Sequence, residues 1–351
     1  MTRLTIKHLT RREWDDLAPS FTDLSYRQCR SFADRAAEAA NASSEFVGIV
    51  EGETLVGLSN VRVKRIPLSP LGIAYVHHGP LSQRQTGYCV ETFGKCLDAL
   101  KQEYVEARHL LLRVVPPSGG GHVLKSQATC LETRGFQRSA YQKAPETFLL
   151  DLNQSLADIR KRLDGKWRND LAKSEKSGLE ITKSEDPAYF DLFEPLLIDL
   201  SRQKAFVSAR DTAFFRSVQA KAEAYEKMVV HLAWHDGDLV AGHIGSFAGD
   251  TAVYLLGAST RKGRDLRASY LLQWKVIEHA ISNGNDYYDL GGIDQNENPN
   301  VYRFKKRLNG RLVKEIGAYE FAPGPLASRI LGLLEYSYGA LRARRRKTAQ
   351  A

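Results

Sequence analysis

Two stretches of the chain carry the same alternation of apolar and polar positions. In residues 45–63, EFVGIVEGETLVGLSNVRV, an apolar run of strand length meets an acidic-Gly-acidic turn and then a second apolar run containing the step LVG. In residues 229–247, VVHLAWHDGDLVAGHIGSF, the same order returns with the step LVAG. Each stretch predicts a β-hairpin. The parallel continues downstream. After the first hairpin come a strand at about 72–77, a helical pattern at about 86–106 and the buried strand HLLLRVVP; after the second come TAVYLLGAS, the helical ASYLLQWKVIEHAISNG and the buried strand YYDLGGI. The chain therefore reads as one α/β unit used twice, with a boundary at the Pro-bearing segment KAPETFLLDL (143–152). The expected division is a first domain at 1–150, a second at 151–325 that opens on a basic helix, and a C-terminal helix with a basic tail at 326–351.

Composition narrows the class. With 351 residues, 43% of them hydrophobic and 26% charged, the chain is long enough for two cored domains and too apolar to be disordered. No window approaches the roughly 18 apolar residues that span a bilayer, and the start, MTRLTIKHLTRREWDD, has no apolar leader. The expected location is cytoplasmic, with the inner face of the membrane as a secondary site. Four cysteines (Cys29, Cys89, Cys96, Cys130) form no CxxC pair and are expected to be reduced and buried. His231 and His235 are the one histidine pair that invites a metal, but no acidic or thiol ligand stands beside them at metal spacing, so no metal is expected. A formal net charge of +9 favours polyanionic partners: RNA, nucleotide diphosphates or an anionic membrane face. Much of it lies in IRKRLDGKWRNDLAKSEKSG (159–178) and in the tail LRARRRKTAQA, either of which reads equally as a solvated face.

Antiparallel strands, then a helix, then a short strand ending in a loop resemble the GNAT acyltransferase fold. The expected fold class is accordingly α/β with mixed sheets, arranged as two tandem GNAT-like domains. The second half is more specific. YLLGAS, YLLQWKVIEHAISNG, YYDLGGI and VYRFKKRLNG, in that order from Tyr254 to Gly310, resemble the second domain of the Fem family of aminoacyl-tRNA-dependent peptidyltransferases. Shorter echoes are VHHGPL (76–81), WRNDLAKSEKSGL (167–179) and FVSARDTAFF (206–215). The resemblance implies transfer of an amino acid from a charged tRNA to an amine of a UDP- or lipid-linked muropeptide, or of a related cell-envelope or natural-product acceptor. It implies no cofactor, a monomer, and a compact member without the long helical arm of pentaglycine-bridge relatives.

The same resemblance assigns residues. Lys305 matches the lysine of the family's FK step, where a cation in a cleft stabilises a developing oxyanion. Phe304 would stack on the terminal adenine. Tyr254, Asp289, Gly291, Gly292 and Tyr302 are expected with it as substrate- or RNA-binding positions, the strand end and turn of Tyr288, Asp289, Gly291 and Gly292 aiming the loop. Arg210 falls on the family's phosphate-binding arginine, and its companion is Arg35, with Arg30 as the other register. The plainer readings are a core Phe304, a solvated basic turn at Lys305–Arg307, and arginines on solvated helices. Val115 stands where relatives carry an Asp ahead of a Pro, so no side-chain base is expected there and the amine would lose its proton by a substrate-assisted route. Two other classes compete. A GNAT-type acyl-CoA transferase, with acetyl-CoA as donor, needs a glycine-rich pyrophosphate loop; STRKGRDLRASYLL supplies Arg261, Gly263 and Ala268 at the wrong spacing. A non-catalytic RNA-binding or membrane-associated scaffold needs only the basic balance. The apolar spacing of PLASRILGLLEYSYGALRARRRK predicts a helix whose cationic end would suit an anionic leaflet.

Overall fold

The computed structural model describes residues 3–324 except 68, 70, 85–86, 118–122, 140–143 and 204–209, and no side chain between 201 and 211. The helix and basic tail expected at 326–351 lie outside the described residues. The chain divides into two compact units: Met1–Phe21, Ala36–Ala144 and Glu315–Ala351 form one, Thr22–Arg35 and Pro145–Lys314 the other.

The first unit holds β1 (Leu4–His8), β2 (Ser43–Glu51), β3 (Thr54–Arg65), β4 (Gly72–His77), β5 (Leu111–Val115) and β6 (Gln137–Arg138). Their sheet order is β1-β2-β3-β4-β5, then a strand from Tyr319–Phe321, then β6. The hairpin expected at 45–63 is β2–β3, paired from Ser43↔Val63 to Glu51↔Thr54. One face carries Val61, Val63, Ala74, Val76, Leu112 and Val114. The helix Val90–Leu100 and its continuation place Phe93, Leu97, Leu100 and Tyr104 on that face at intervals of three and four, the helical period. Each such side chain contributes about 1.5–3 kcal/mol on burial.

The second unit holds β7 (Glu146–Asp151), β8 (Glu180–Ser184), β9 (Met228–His235), β10 (Asp238–Ser246), β11 (Thr251–Ser259), β12 (Tyr287–Asp289) and β13 (Arg311–Lys314), in the order β13-β7-β12-β11-β10-β9-β8. The strand Tyr319–Phe321 of the first sheet is β14. On one face the helix Ala268–Ser282 buries Trp274, Val276, Ile277 and Ala280 against Phe148, Leu150, Tyr288 and Leu290. On the other, Phe190, Phe193 and Leu197 of the helix Ala188–Gln203 cover Val230, Leu232 and Ile244.

Three expectations need correction. The strand at 146–151, placed at the end of the first domain, pairs with β12 and β13 of the second sheet, so the second unit's main segment begins at Pro145, and that unit also takes Thr22–Arg35 from within the expected 1–150. Residues 315–321, placed in the second domain, return to pair with β5 and β6. Cys89 is exposed and the other three cysteines are buried, all four as free thiols. Among the described residues no helix is long and apolar enough to cross a membrane.

The two units differ where their parallel strands run. β4 and β5 keep register over five pairs, from Ile73↔Leu111 to His77↔Val115. β11 and β12 keep it over three, Thr251↔Tyr287 to Val253↔Asp289. Beyond Val253, β11 continues beside β10 alone, and the second sheet opens.

Candidate active site

The opening begins at a turn. After Asp289 the chain reaches Gly291 at φ +72°, so near the backbone that a Cβ there would lie 2.7 Å from the Tyr254 carbonyl oxygen. Glycine alone fits both conditions. The Asp289 carboxylate pins the turn: it accepts from the Gly291 amide at 2.8 Å and from the Thr147 hydroxyl of β7. The turn thus directs the carbonyls of Gly291 and Gly292 at Lys305, whose Nζ donates to them at 3.4 and 3.1 Å.

Lys305 lies on the helix Pro299–Lys306 and is only 6% exposed. Its ammonium sits 4.8 Å from the centre of the Tyr254 ring. Burial lowers its pKa to about 8, with the Asp289 charge opposing. At neutral pH it remains mainly a cation, and a poorly hydrated one.

A cleft of about 550 Å³ opens over this group, with Tyr254, Gly257, Phe304, Gln273 and His243 among its walls. Gly257 leaves room for the Tyr254 hydroxyl, which would lie 1.8 Å from a Cβ there. Burial raises the Tyr254 phenol to about 12, so it stays protonated and can donate. Phe304 lines the cleft while packing on Tyr270 at 5.1 Å and Trp167 at 5.9 Å. Tyr288 lies fully buried behind the wall; its hydroxyl accepts from Gln273 Nε2 at 2.6 Å and is 3.1 Å from His243 Nε2.

The structure therefore brings together Lys305, Phe304 and Tyr254 in one cleft, on a turn shaped by Asp289, Gly291 and Gly292. Tyr302 is not among the cleft's lining residues. Its ring packs on Phe148 at 5.6 Å, with Lys306 over it, because one helical step from Val301 and Phe304 turns it to the core. Arg35 lies against the helix Arg210–Gln219: its Nε donates to Ser217 Oγ at 3.0 Å and its guanidinium is 5.4 Å from the Phe214 ring. The Arg210 side chain lies outside the described residues. Arg30 instead ion-pairs with Glu223 at 3.2 Å. Val115 ends β5 buried and apolar. Among the described residues no three His, Cys, Asp or Glu side chains are arranged to hold a metal. Thr147, His243 and Gln273 belong to this site and were not singled out from the sequence.

A cation, a phenol and an aromatic wall beside a splayed strand pair are the equipment of an acyl-transfer cleft, and two such mixed α/β units in tandem define the class of fold. The model for the FemAB family matches residues 235–335. The lipid II:glycine glycyltransferase of Staphylococcus saprophyticus is 20% identical over 349 residues, covering 79% of this chain and 83% of that protein. The same-named protein of Staphylococcus haemolyticus is 30% identical over 110 residues, covering 30% of this chain and 26% of that protein, so the chain spans about a quarter of the length of the relative it matches at that identity. The crystal structure of FemX superposes with a TM-score of 0.78 at 16% identity, over 94% of this chain and 99% of that one. The chain thus has the fold of FemX, and its residues 235–335 are similar to the FemAB family.

Proposed function

We propose that the protein is an aminoacyltransferase that moves an amino acid from the 3′ ester of a charged tRNA to an amine of a lipid- or UDP-linked peptidoglycan precursor. The observation that carries this is Lys305: a desolvated ammonium, oriented by two carbonyls and an aromatic face, at the open end of a splayed strand pair. When an amine attacks an ester, negative charge grows on the carbonyl oxygen, and a fixed cation in a low-dielectric cleft stabilises that charge more than it stabilises the ground state. Relatives named lipid II:glycine glycyltransferase support a transferase that adds amino acids to peptidoglycan precursors. In this reading Phe304 holds the terminal base of the RNA, Tyr254 donates to the ester, and Arg35 with Arg210 takes a diphosphate.

The acyl-CoA alternative fares worse. Between β11 and the helix Ala268–Ser282 stands the short helix Arg261–Asp265, capped by Thr260, in place of a glycine-rich loop. Its glycine is needed for packing: a Cβ on Gly263 would lie 2.2 Å from the Val240 carbonyl oxygen. Arg264 and Arg267 of this segment line the cleft, but the turn ahead of the helix is not the glycine-rich one that suits the pyrophosphate of an acyl-CoA. The test is incubation with mixed charged tRNAs and candidate muropeptides, read by mass spectrometry for an acceptor heavier by one residue. Transfer from acetyl-CoA with none from charged tRNA would overturn the reading.

A further inference from the structure

We propose that Arg62 anchors a second ligand site, on the face of the first sheet turned away from its core, for a small group with two coplanar oxygens: a carboxylate or a phosphate. Binding there does not depend on the transfer reaction proposed above.

Successive side chains of a strand point to opposite faces. Val61, Val63, Ala74 and Leu112 face the core of the first unit, so Arg62, Tyr75 and Arg113 stand on the other side. Register sets them in one row. Ser44 is opposite Arg62, Arg62 opposite Tyr75, Tyr75 opposite Arg113 and Arg113 opposite Glu320. Two guanidiniums thus flank one tyrosine, and a single carboxylate in the row serves them. Arg113 takes it, with Nε 2.7 Å and Nη2 2.6 Å from Glu320 Oε1. Arg62 is left with the ring. Its guanidinium carbon lies 4.9 Å from the centre of Tyr75, and among the described residues it has no carboxylate beside it and no hydrogen bond.

An exposed arginine commonly goes unpaired. This one is partly buried, and burial lowers its guanidinium below the usual value with only the Tyr75 phenol opposing. Charges withdrawn from water are normally paired, and a ring face is not a counter-charge. A neutral side chain of similar length would cover Tyr75 as well without stranding a cation. Stacking on the ring leaves the in-plane fork of N–H groups for an acceptor, and that fork matches two oxygens on one carbon or one phosphorus. Beside it, across the β2–β3 pair, the Ser44 hydroxyl accepts from Asn60 Nδ2 at 2.7 Å, which leaves its own proton to donate. His77 stacks on the Tyr75 ring from along β4, at 5.2 Å, and holds its plane.

The test is Arg62→Met in the full chain, which keeps a stem over Tyr75 and removes the charge. Melting temperatures of the wild type and the variant are measured alone, with inorganic pyrophosphate and with N-acetyl-alanyl-alanine. Without ligand the variant should melt no lower than the wild type, because a charge without a partner has been removed. At least one of the two compounds should raise the wild type by about 2 °C or more beyond its effect on the variant, and titration calorimetry should show that compound bound roughly 10-fold or more weaker by the variant. The compound that does so identifies the group as phosphate or carboxylate. Arg35 and Arg210 remain in both chains, so pyrophosphate held there cancels from the difference. Equal gains in the two chains with both compounds overturn the site. A variant that melts several degrees lower without ligand also overturns it, since Arg62 would then serve the fold. No transfer is read in either measurement, so absence of transfer from charged tRNA would strike the proposed function alone.

Discussion

Replacing Gly291 and Gly292 one at a time by alanine isolates the turn that aims the site. At Gly291 the added Cβ meets two penalties. The φ of +72° is left-handed, costing a non-glycine residue on the order of 1–2 kcal/mol. The 2.7 Å approach to the Tyr254 carbonyl oxygen is relieved only by moving β11, which is paired to β10, and overpacking of this kind costs about 1–3 kcal/mol. Together these give about 2–5 kcal/mol, or a melting temperature lower by roughly 5–15 °C for a unit of this size. At Gly292 nothing lies within 4 Å of an added Cβ and φ is not left-handed, so the change stays within about 0.5 kcal/mol. Both variants keep the carbonyls that hold Lys305. Thermal melts followed by circular dichroism, with transfer assayed on the same samples, give the comparison. Equal melting temperatures for the two variants would refute the reasoning, as would a more stable Gly291→Ala.

Other consequences can be measured independently. With a folded-state pKa of about 8 against the ordinary lysine value of 10.5, Lys305 holds fewer protons folded than unfolded between those values, so its contribution to stability rises from about pH 8 to about 10.5; urea titrations should show a rise that Lys305→Met abolishes. If the cation works on the oxyanion, transfer should fall on the alkaline side of about pH 8, and Lys305→Met should cost about 10²–10³ in kcat while the fold persists. Thr147→Val removes the donor that orients Asp289 and should destabilise the second unit by about 1–3 kcal/mol, read as a lower urea midpoint with an unchanged m-value. In the basic helices Arg160 is tied to Glu175 by two hydrogen bonds, whereas Arg162 and Lys166 are exposed. If the donor is the charged tRNA proposed above, Arg162→Gln with Lys166→Gln should therefore flatten the salt dependence of its binding, and Arg160→Gln should alter it less.

What the sequence disclosed depended on how local the determining physics was. The hairpins and the repeated unit were legible because a strand's alternation and an acidic-Gly-acidic turn are properties of adjacent residues. The ownership of Thr147–Leu150 was not, since an apolar strand reads the same whichever sheet it joins, and its register with β12 and β13 is a tertiary fact. Lys305 stood out through family resemblance; its burial comes from carbonyls 13 and 14 residues away, which its neighbours Phe304 and Lys306 do not reveal. The pairing of His231 with His243 was hidden by a single residue. Read as a regular hairpin from Asp238↔His235 and Leu239↔Trp234, the register would set His243 opposite Val230 and put His231 and His243 on opposite faces. The irregularity between Leu239 and Ala241 slips β10 by one position, and His243 comes to face His231. One extra residue in one strand reverses the faces of all that follow it. Two imidazoles that plain alternation keeps apart are thereby placed side by side behind the cleft wall, with ring centres 6.0 Å apart.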